Sequence, residues 1–134
     1  MELKRTKEAL ENLRLDIIKK LQSNVPVDTG KLKSSIKIVM KKNKTPIFLM
    51  TLKFKDYGRP VHEGTKPHFV PVQKLKGWAK RHNWNVNALQ LHISEKGTKP
   101  HPWIEYDDVV QKHLPLLTQA YILDVIQEIK QTLK

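Results

Sequence analysis

Apolar residues first recur at helical spacing. Leu3, Leu10, Leu13, Ile17 and Leu21 fall on one stripe, with Lys, Glu and Arg filling the opposite face. This pattern predicts an amphipathic helix over residues 2–23. Asn24 is a candidate cap, and Pro26 stops the helix because it lacks an amide proton. Pro26-Val27-Asp28-Thr29-Gly30 is turn chemistry, in which Asp28 or Thr29 can accept backbone amides and open a short helical turn through Lys31, Leu32 and Lys33. The period then shortens to that of a strand. Ile36, Ile38 and Met40 face one way and Lys37, Val39 and Lys41 the other over residues 35–41. A polar turn over residues 42–46 leads to a second such run over 47–54, with Phe48, Met50, Leu52 and Phe54 on one face. The two runs predict a hairpin.

Downstream the pattern returns to helical. One short helix is expected over residues 73–82, carrying Leu75, Trp78 and Ala79, and a second element over 85–93. Residues 103–133 read as a C-terminal helix interrupted or kinked at Pro115. Ile122, Ile126, Ile129 and Leu133 form one stripe of that helix. Leu116, Leu117, Ala120, Leu123 and Val125 widen its apolar surface, so more than one face is expected to be buried, in the fold or against another subunit.

The pentapeptide Gly-Thr-Lys-Pro-His occurs twice, at 64–68 and 97–101, and flanks the short helices. A repeat array needs a whole supersecondary unit to recur, so the two copies read as paired loops of one domain. Glycine permits a positive φ there, and proline holds the preceding lysine extended. A conformational role is favoured over phosphate binding. Both copies are expected to return the chain to the same edge of the sheet, so that replacing Pro67 or Pro100 disturbs loop order or assembly rather than ligand binding.

Charge changes the picture more than size does. The 134 residues suit one domain, the formal net charge is +12, and there is no cysteine, which removes disulfides, thiolate metal sites and cysteine nucleophiles. Residues 1–103 carry 22 Lys/Arg against 8 Asp/Glu, whereas residues 104–134 carry 3 against 5. Six lysines lie between Lys31 and Lys44, and Lys74, Lys76, Lys80 and Arg81 accompany Trp78 and Trp84. Such a field attracts acidic partners, nucleic acid among them, while solubility and the blocking of strand edges account for scattered lysines equally well. The N-terminal pattern predicts neither a signal peptide nor a membrane span.

Enzyme chemistry finds little support. His62, His68 and His101 lie in or beside the pentapeptides, but their spacing matches no zinc motif. Glu63 and Glu95 each precede or nearly precede a pentapeptide glycine, yet nothing implies the cleft that acid-base work needs. No phosphate-binding glycine loop, nucleophile elbow or Ser/His/Asp arrangement is present.

Three stretches resemble one family. Pro26-Val27-Asp28-Thr29-Gly30-Lys31-Leu32-Lys33-Ser34-Ser35-Ile36 is similar to the Pro-x-Asp-Thr-Gly-x-Leu-x-x-Ser-Ile signature of the tail-completion, or tail-to-head joining, proteins of long-tailed (siphovirus) bacteriophages. Residues 57–68, Tyr-Gly-Arg-Pro-Val-His-Glu-Gly-Thr-Lys-Pro-His, look like its second block. The second Gly-Thr-Lys-Pro-His with Pro102-Trp103-Ile104 looks like its third, where the chain enters the C-terminal helix. Within the family the chain looks most like the joining proteins of phages of Gram-positive bacteria. It departs from the family at Glu105-Tyr106-Asp107, where a small residue and alanine are usual, and at Pro115.

The resemblance implies a single α+β domain over residues 1–134: an N-terminal helix, an antiparallel β-sheet, an inserted short helical segment and a C-terminal helix packed on the sheet. It also implies a late, structural virion protein, assembled in the host cytoplasm. Such a protein caps the head-proximal end of the tail as a homo-oligomeric ring, six-fold in the family, and joins it to the head. The implied partners are further copies of the chain, the tail tube protein and the head-completion (connector) protein, with non-specific contact to phage DNA and none to membrane. No enzymatic activity, catalytic residue, cofactor or metal is expected. A sequence-independent nucleic-acid-binding module using the basic surface is the alternative.

Overall fold

The computed structural model describes residues 2–42 and 48–133. Its elements are α1 (Lys4–Asn24), α2 (Lys31–Ser35), β1 (Lys37–Lys42), β2 (Phe48–Lys53), α3 (Gly58–Glu63), α4 (Val72–Arg81), α5 (Val86–Lys96) and α6 (Asp107–Thr132). The class is α+β with helices dominating. The expected turn between the strands, from residue 43 onward, lies outside the described residues, as does Ile47. The chain divides into two compact units: Met1–Ser23 with Ile36–Lys53 and Glu105–Lys134, and Asn24–Ser35 with Phe54–Ile104.

In the first unit the predicted stripe of α1 forms the core. Leu3, Leu13, Ile17 and Leu21 are buried, together with Ile36 and Ile38 beside and within β1. The hairpin pairs antiparallel in a register that sets Ile38 opposite Leu52 and Met40 opposite Met50. These residues share the inward face with Phe48, as the alternation predicted. The outer face sets Lys37 opposite Lys53 and exposed Lys41 opposite exposed Leu49. Arg14 of α1 pairs with Glu11 and reaches the Ile38 carbonyl at 3.5 Å, which ties helix to hairpin.

Helix α6 runs through Pro115 as one element, so of the expected interruption or kink there the interruption does not occur. Its first residues are acidic, which suits the positive end of the helix dipole. Polar ties join it to α1 along its length. Lys20 Nζ meets Asp108 Oδ2 at 3.3 Å, His113 Nε2 meets Asp16 Oδ2 at 2.6 Å, and Asp124 meets Arg5 and Thr6. As the α1 numbers fall from 20 to 5 the α6 numbers rise from 108 to 124, so the helices are antiparallel.

Asp124 caps α1. Its Oδ2 accepts the Thr6 amide at 2.8 Å and the Thr6 hydroxyl at 2.7 Å, and its Oδ1 accepts the Arg5 amide at 3.2 Å. The Arg5 guanidinium lies 3.6 Å away. Helix α1 has no acidic residue in its first turn, so the carboxylate serving its free amides comes from the other end of the chain. Burial pushes the Asp124 carboxyl up, but the Thr6 amide and hydroxyl, the Arg5 amide and the Arg5 charge outweigh it, leaving the group below its ordinary value of 3.8.

Asp124→Ala is expected to lower the unfolding free energy by about 1–3 kcal/mol, read from urea denaturation at neutral pH. Because the folded carboxyl is more acidic than the unfolded one, its contribution is complete above pH 3.8 and disappears as the pH falls below that value. The stability difference between the unsubstituted chain and the variant should therefore shrink in acid.

Candidate functional site

The three sequence blocks meet in the second unit. Leu32 of α2 and Phe54 crowd Gly58 at the start of α3: a Cβ on Gly58 would stand 2.5 Å from Phe54 Cδ2 and 2.9 Å from Leu32 Cδ1. Trp103 is 0% exposed, donates Nε1–H to the Gly58 carbonyl at 2.9 Å, and sets its ring edge-on to Phe54 at 5.0 Å. His62 Nδ1 accepts the amides of Trp103 at 3.0 Å and Ile104 at 3.2 Å. That nitrogen is thus occupied as an acceptor, and the candidate ligand His62 positions the chain after the second pentapeptide. The Pro60-containing helix α3 was absent from the sequence reading because six residues are too few to show a period.

The two Gly-Thr-Lys-Pro-His copies pair with each other. Gly64 (φ 76°) closes α3 by donating to Pro60 O at 2.8 Å, and Gly97 (φ 71°) closes α5 by donating to Ile93 O at 2.9 Å. The following threonines exchange amide–carbonyl bonds, Thr65 to Thr98 and back, each 3.1 Å, and their hydroxyls meet at 2.8 Å. This bridge is not part of the β1–β2 ladder: the two copies pair with each other. The copies are two halves of one clasp around residues 66–97. His68 and His101 are exposed at its rim, and His68 Nδ1 lies 2.7 Å from the Lys66 carbonyl.

Asp28 of the Pro-Val-Asp-Thr-Gly turn does not cap α2. Thr29 Oγ1 takes the Lys31 amide at 3.4 Å, while Asp28 holds the end of α4. Arg81 Nε donates to Asp28 Oδ1 at 2.7 Å, Arg81 Nη2 pairs with Oδ2, and His82 Nε2 lies 2.9 Å from Oδ1. The Arg81 guanidinium first and His82 second bring the Asp28 carboxyl down to about 2. Between the clasp and this anchor, Ala79, Leu89 and Ile93 form a small core with Val70, Leu75, Trp78 and Val86 against it.

In the first unit the outer surface of α6 is apolar. Ile122, Ile126, Ile129 and Leu133 are 51%, 42%, 51% and 80% exposed, whereas the buried residues of the helix are His113 and Asp124. The chain itself leaves this stripe uncovered; its inner face sets buried His113 and Asp124 among half-buried Val110, Leu117 and Ala120. A cleft of about 380 Å³ is lined by charged and amide side chains, unlike an apolar ligand pocket, and another of about 290 Å³ is lined by Arg5, Glu8, Ala9, Asn12, His113 and Leu116. Among the described residues no group of three His, Asp or Glu is placed to hold a metal, and no helix is long and apolar enough to cross a membrane. Glu63 is exposed and pairs with Arg59 at 3.6 Å.

Gly97→Ala should damage the clasp severely, because the added Cβ collides with the Thr65 carbonyl and φ is positive. A loss on the order of 3 kcal/mol in thermal or urea unfolding is expected. The Asp28 anchor, with its carboxyl held down, stabilises fully above pH 3.8 and fades as the pH falls towards about 2. Since Trp78 stacks on His82 at 4.2 Å, a tryptophan fluorescence transition in this window should appear in the unsubstituted chain and be absent in Asp28→Asn.

Residues 3–73 match the family model described as "Bacteriophage HK97-gp10, putative tail-component". No curated protein and no solved structure matches the chain. The matched stretch carries α1, α2, the hairpin, α3 and the first Gly-Thr-Lys-Pro-His, and it ends just inside α4. With just over half of its residues matched, this chain belongs to the HK97-gp10-like family of bacteriophage tail components.

Proposed function

We propose that this protein completes the head-proximal end of a phage tail and joins that tail to the head, acting as one subunit of a ring. One observation carries the reading beyond the family: α6 turns a stripe of isoleucines outward while His113 and Asp124, among half-buried Val110, Leu117 and Ala120, face its own chain. Ile122 and Ile126 stand two residues either side of Asp124, roughly 160–200° around the helix from it. A self-sufficient subunit buries such a stripe, so an uncovered one is an assembly surface. Head-to-tail contacts of one kind close into a ring when the rotation allows it. The tail tube protein lies on one side of that ring and the head-completion protein on the other, at the head–tail boundary of the virion. Convergence of all three sequence blocks in the second unit supports the same reading, because the segments that resemble joining proteins build one structure.

Phage deprived of this protein should accumulate DNA-filled heads and finished tails that stay separate by electron microscopy. Adding the purified protein should join them. Ile126→Glu should unfold within about 0.5 kcal/mol of the unsubstituted chain, as an exposed substitution does, yet join particles at least tenfold less well. Normal joining without the protein would end the proposal, and full activity of Ile126→Glu would remove α6 from it.

A further inference from the structure

The second unit carries a basic and aromatic surface on α4 and α5. Helix α4 has cationic side chains at Lys74, Lys76, Lys80 and Arg81 and no acidic one. Lys74 stands in its first turn, at the positive end of the helix dipole, and Lys76 and Lys80 are like charges one turn apart. These two placements work against the helix, whereas Lys80 and Arg81 in its last turn suit the dipole. Arg81 is held by Asp28, but Lys74, Lys76 and Lys80 are exposed and have no ion pair among the described residues. Exposed charge with no ion pair among the described residues is available to an acidic partner outside the chain.

Beside it lies an aromatic row. Trp78 stacks on His82 at 4.2 Å, Trp84 meets Trp78 edge-on at 6.1 Å, and His92 of α5 meets Trp84 at 6.4 Å. The turn between the helices holds Trp84 in place: Asn83 adopts φ 58° and the Trp84 amide donates to Ala79 O at 2.8 Å. This is a helix C-terminal cap whose usual apolar contact is the one between Trp84 and Trp78. The cap explains one edge of the indole. The ring remains 49% exposed; Lys74 stands one turn before Trp78 on its side of α4, and Lys76 and Lys80 stand on the other flank of the helix.

We infer that the α4–α5 surface binds single-stranded nucleic acid without reading sequence, Trp84 stacking on an unpaired base and Lys74, Lys76 and Lys80 contacting phosphates. A flat exposed indole offers a stacking platform to any base, and a base inside a duplex is not available to it. The complementary charge is the phosphate backbone, whose binding releases counterions. The outer lysines of the hairpin, Lys37, Lys41 and Lys53, have no aromatic ring among them and serve as the internal control.

The test is anisotropy of a labelled oligothymidylate of about 20 nucleotides with the full chain, across a salt series. Binding should weaken steeply with salt, and Lys76→Ala with Lys80→Ala should reduce the magnitude of the log–log slope by about 1.4. Trp84→Ala should weaken binding about tenfold at unchanged slope, while Trp84→Phe, which keeps a stacking face, should stay within about threefold. Lys37→Ala with Lys41→Ala should do less than the α4 pair. The inference is overturned by absence of binding at low salt, by preference for duplex of the same length, by an unaffected Trp84→Ala, or by equal losses from the hairpin and α4 pairs.

Discussion

The first unit depends on a carboxylate at the wrong end of the chain. Helix α1 begins with amides that its own sequence does not serve, and Asp124 of α6 serves them while its own charge is offset by Arg5. The side chain is only 3% exposed, so the bonds form where water competes poorly. Removing either partner leaves buried polar groups unmet, which is why the interaction dictates where α6 lies and not merely that it lies nearby. With Asp124 and His113 turned inward among Val110, Leu117 and Ala120, the isoleucines two residues either side of Asp124 face outward. Cap and exposed stripe are consequences of one choice of face.

Polar gripping and apolar display divide two tasks between two sides of one helix. Hydrogen bonds are directional and hold α6 against α1 in one register, whereas apolar surface is permissive about geometry and strong in total. A component that folds first and assembles later benefits from this arrangement. The net charge of +12 opposes association of like copies through the exposed stripe.

Local pattern revealed what local forces decide. The α1 stripe and the alternating hairpin faces were legible because a helical or two-residue period survives any tertiary context that buries one side. The α4–α5 pair was legible to within a few residues for the same reason. The periodicity of α6 was equally clear and its direction was not, since a stripe of isoleucines does not say whether the chain owns the surface it faces. The signal that would have turned it was the spacing of His113 and Asp124, about three turns apart on one face, read against the uncapped start of α1. Asp28 had the chemistry of a local cap and instead reached Arg81, a pairing 53 residues long that no window along the sequence contains. Gly-Thr-Lys-Pro-His was recognised as backbone punctuation, but that its two copies would bond to each other required knowing that α3 and α5 end side by side.

The clasp also alters how the chain can vary. Thr65 and Thr98 bring the chain back to its point of departure, and the segment between them has its own small core. A segment that leaves and returns at one place adds nothing to the distances the remaining chain must span. Its length and contents can change without rethreading anything else. Such a doorway, built from two copies of five residues, lets the surface carried by α4 and α5 be exchanged as a cassette while the subunit around it keeps its form.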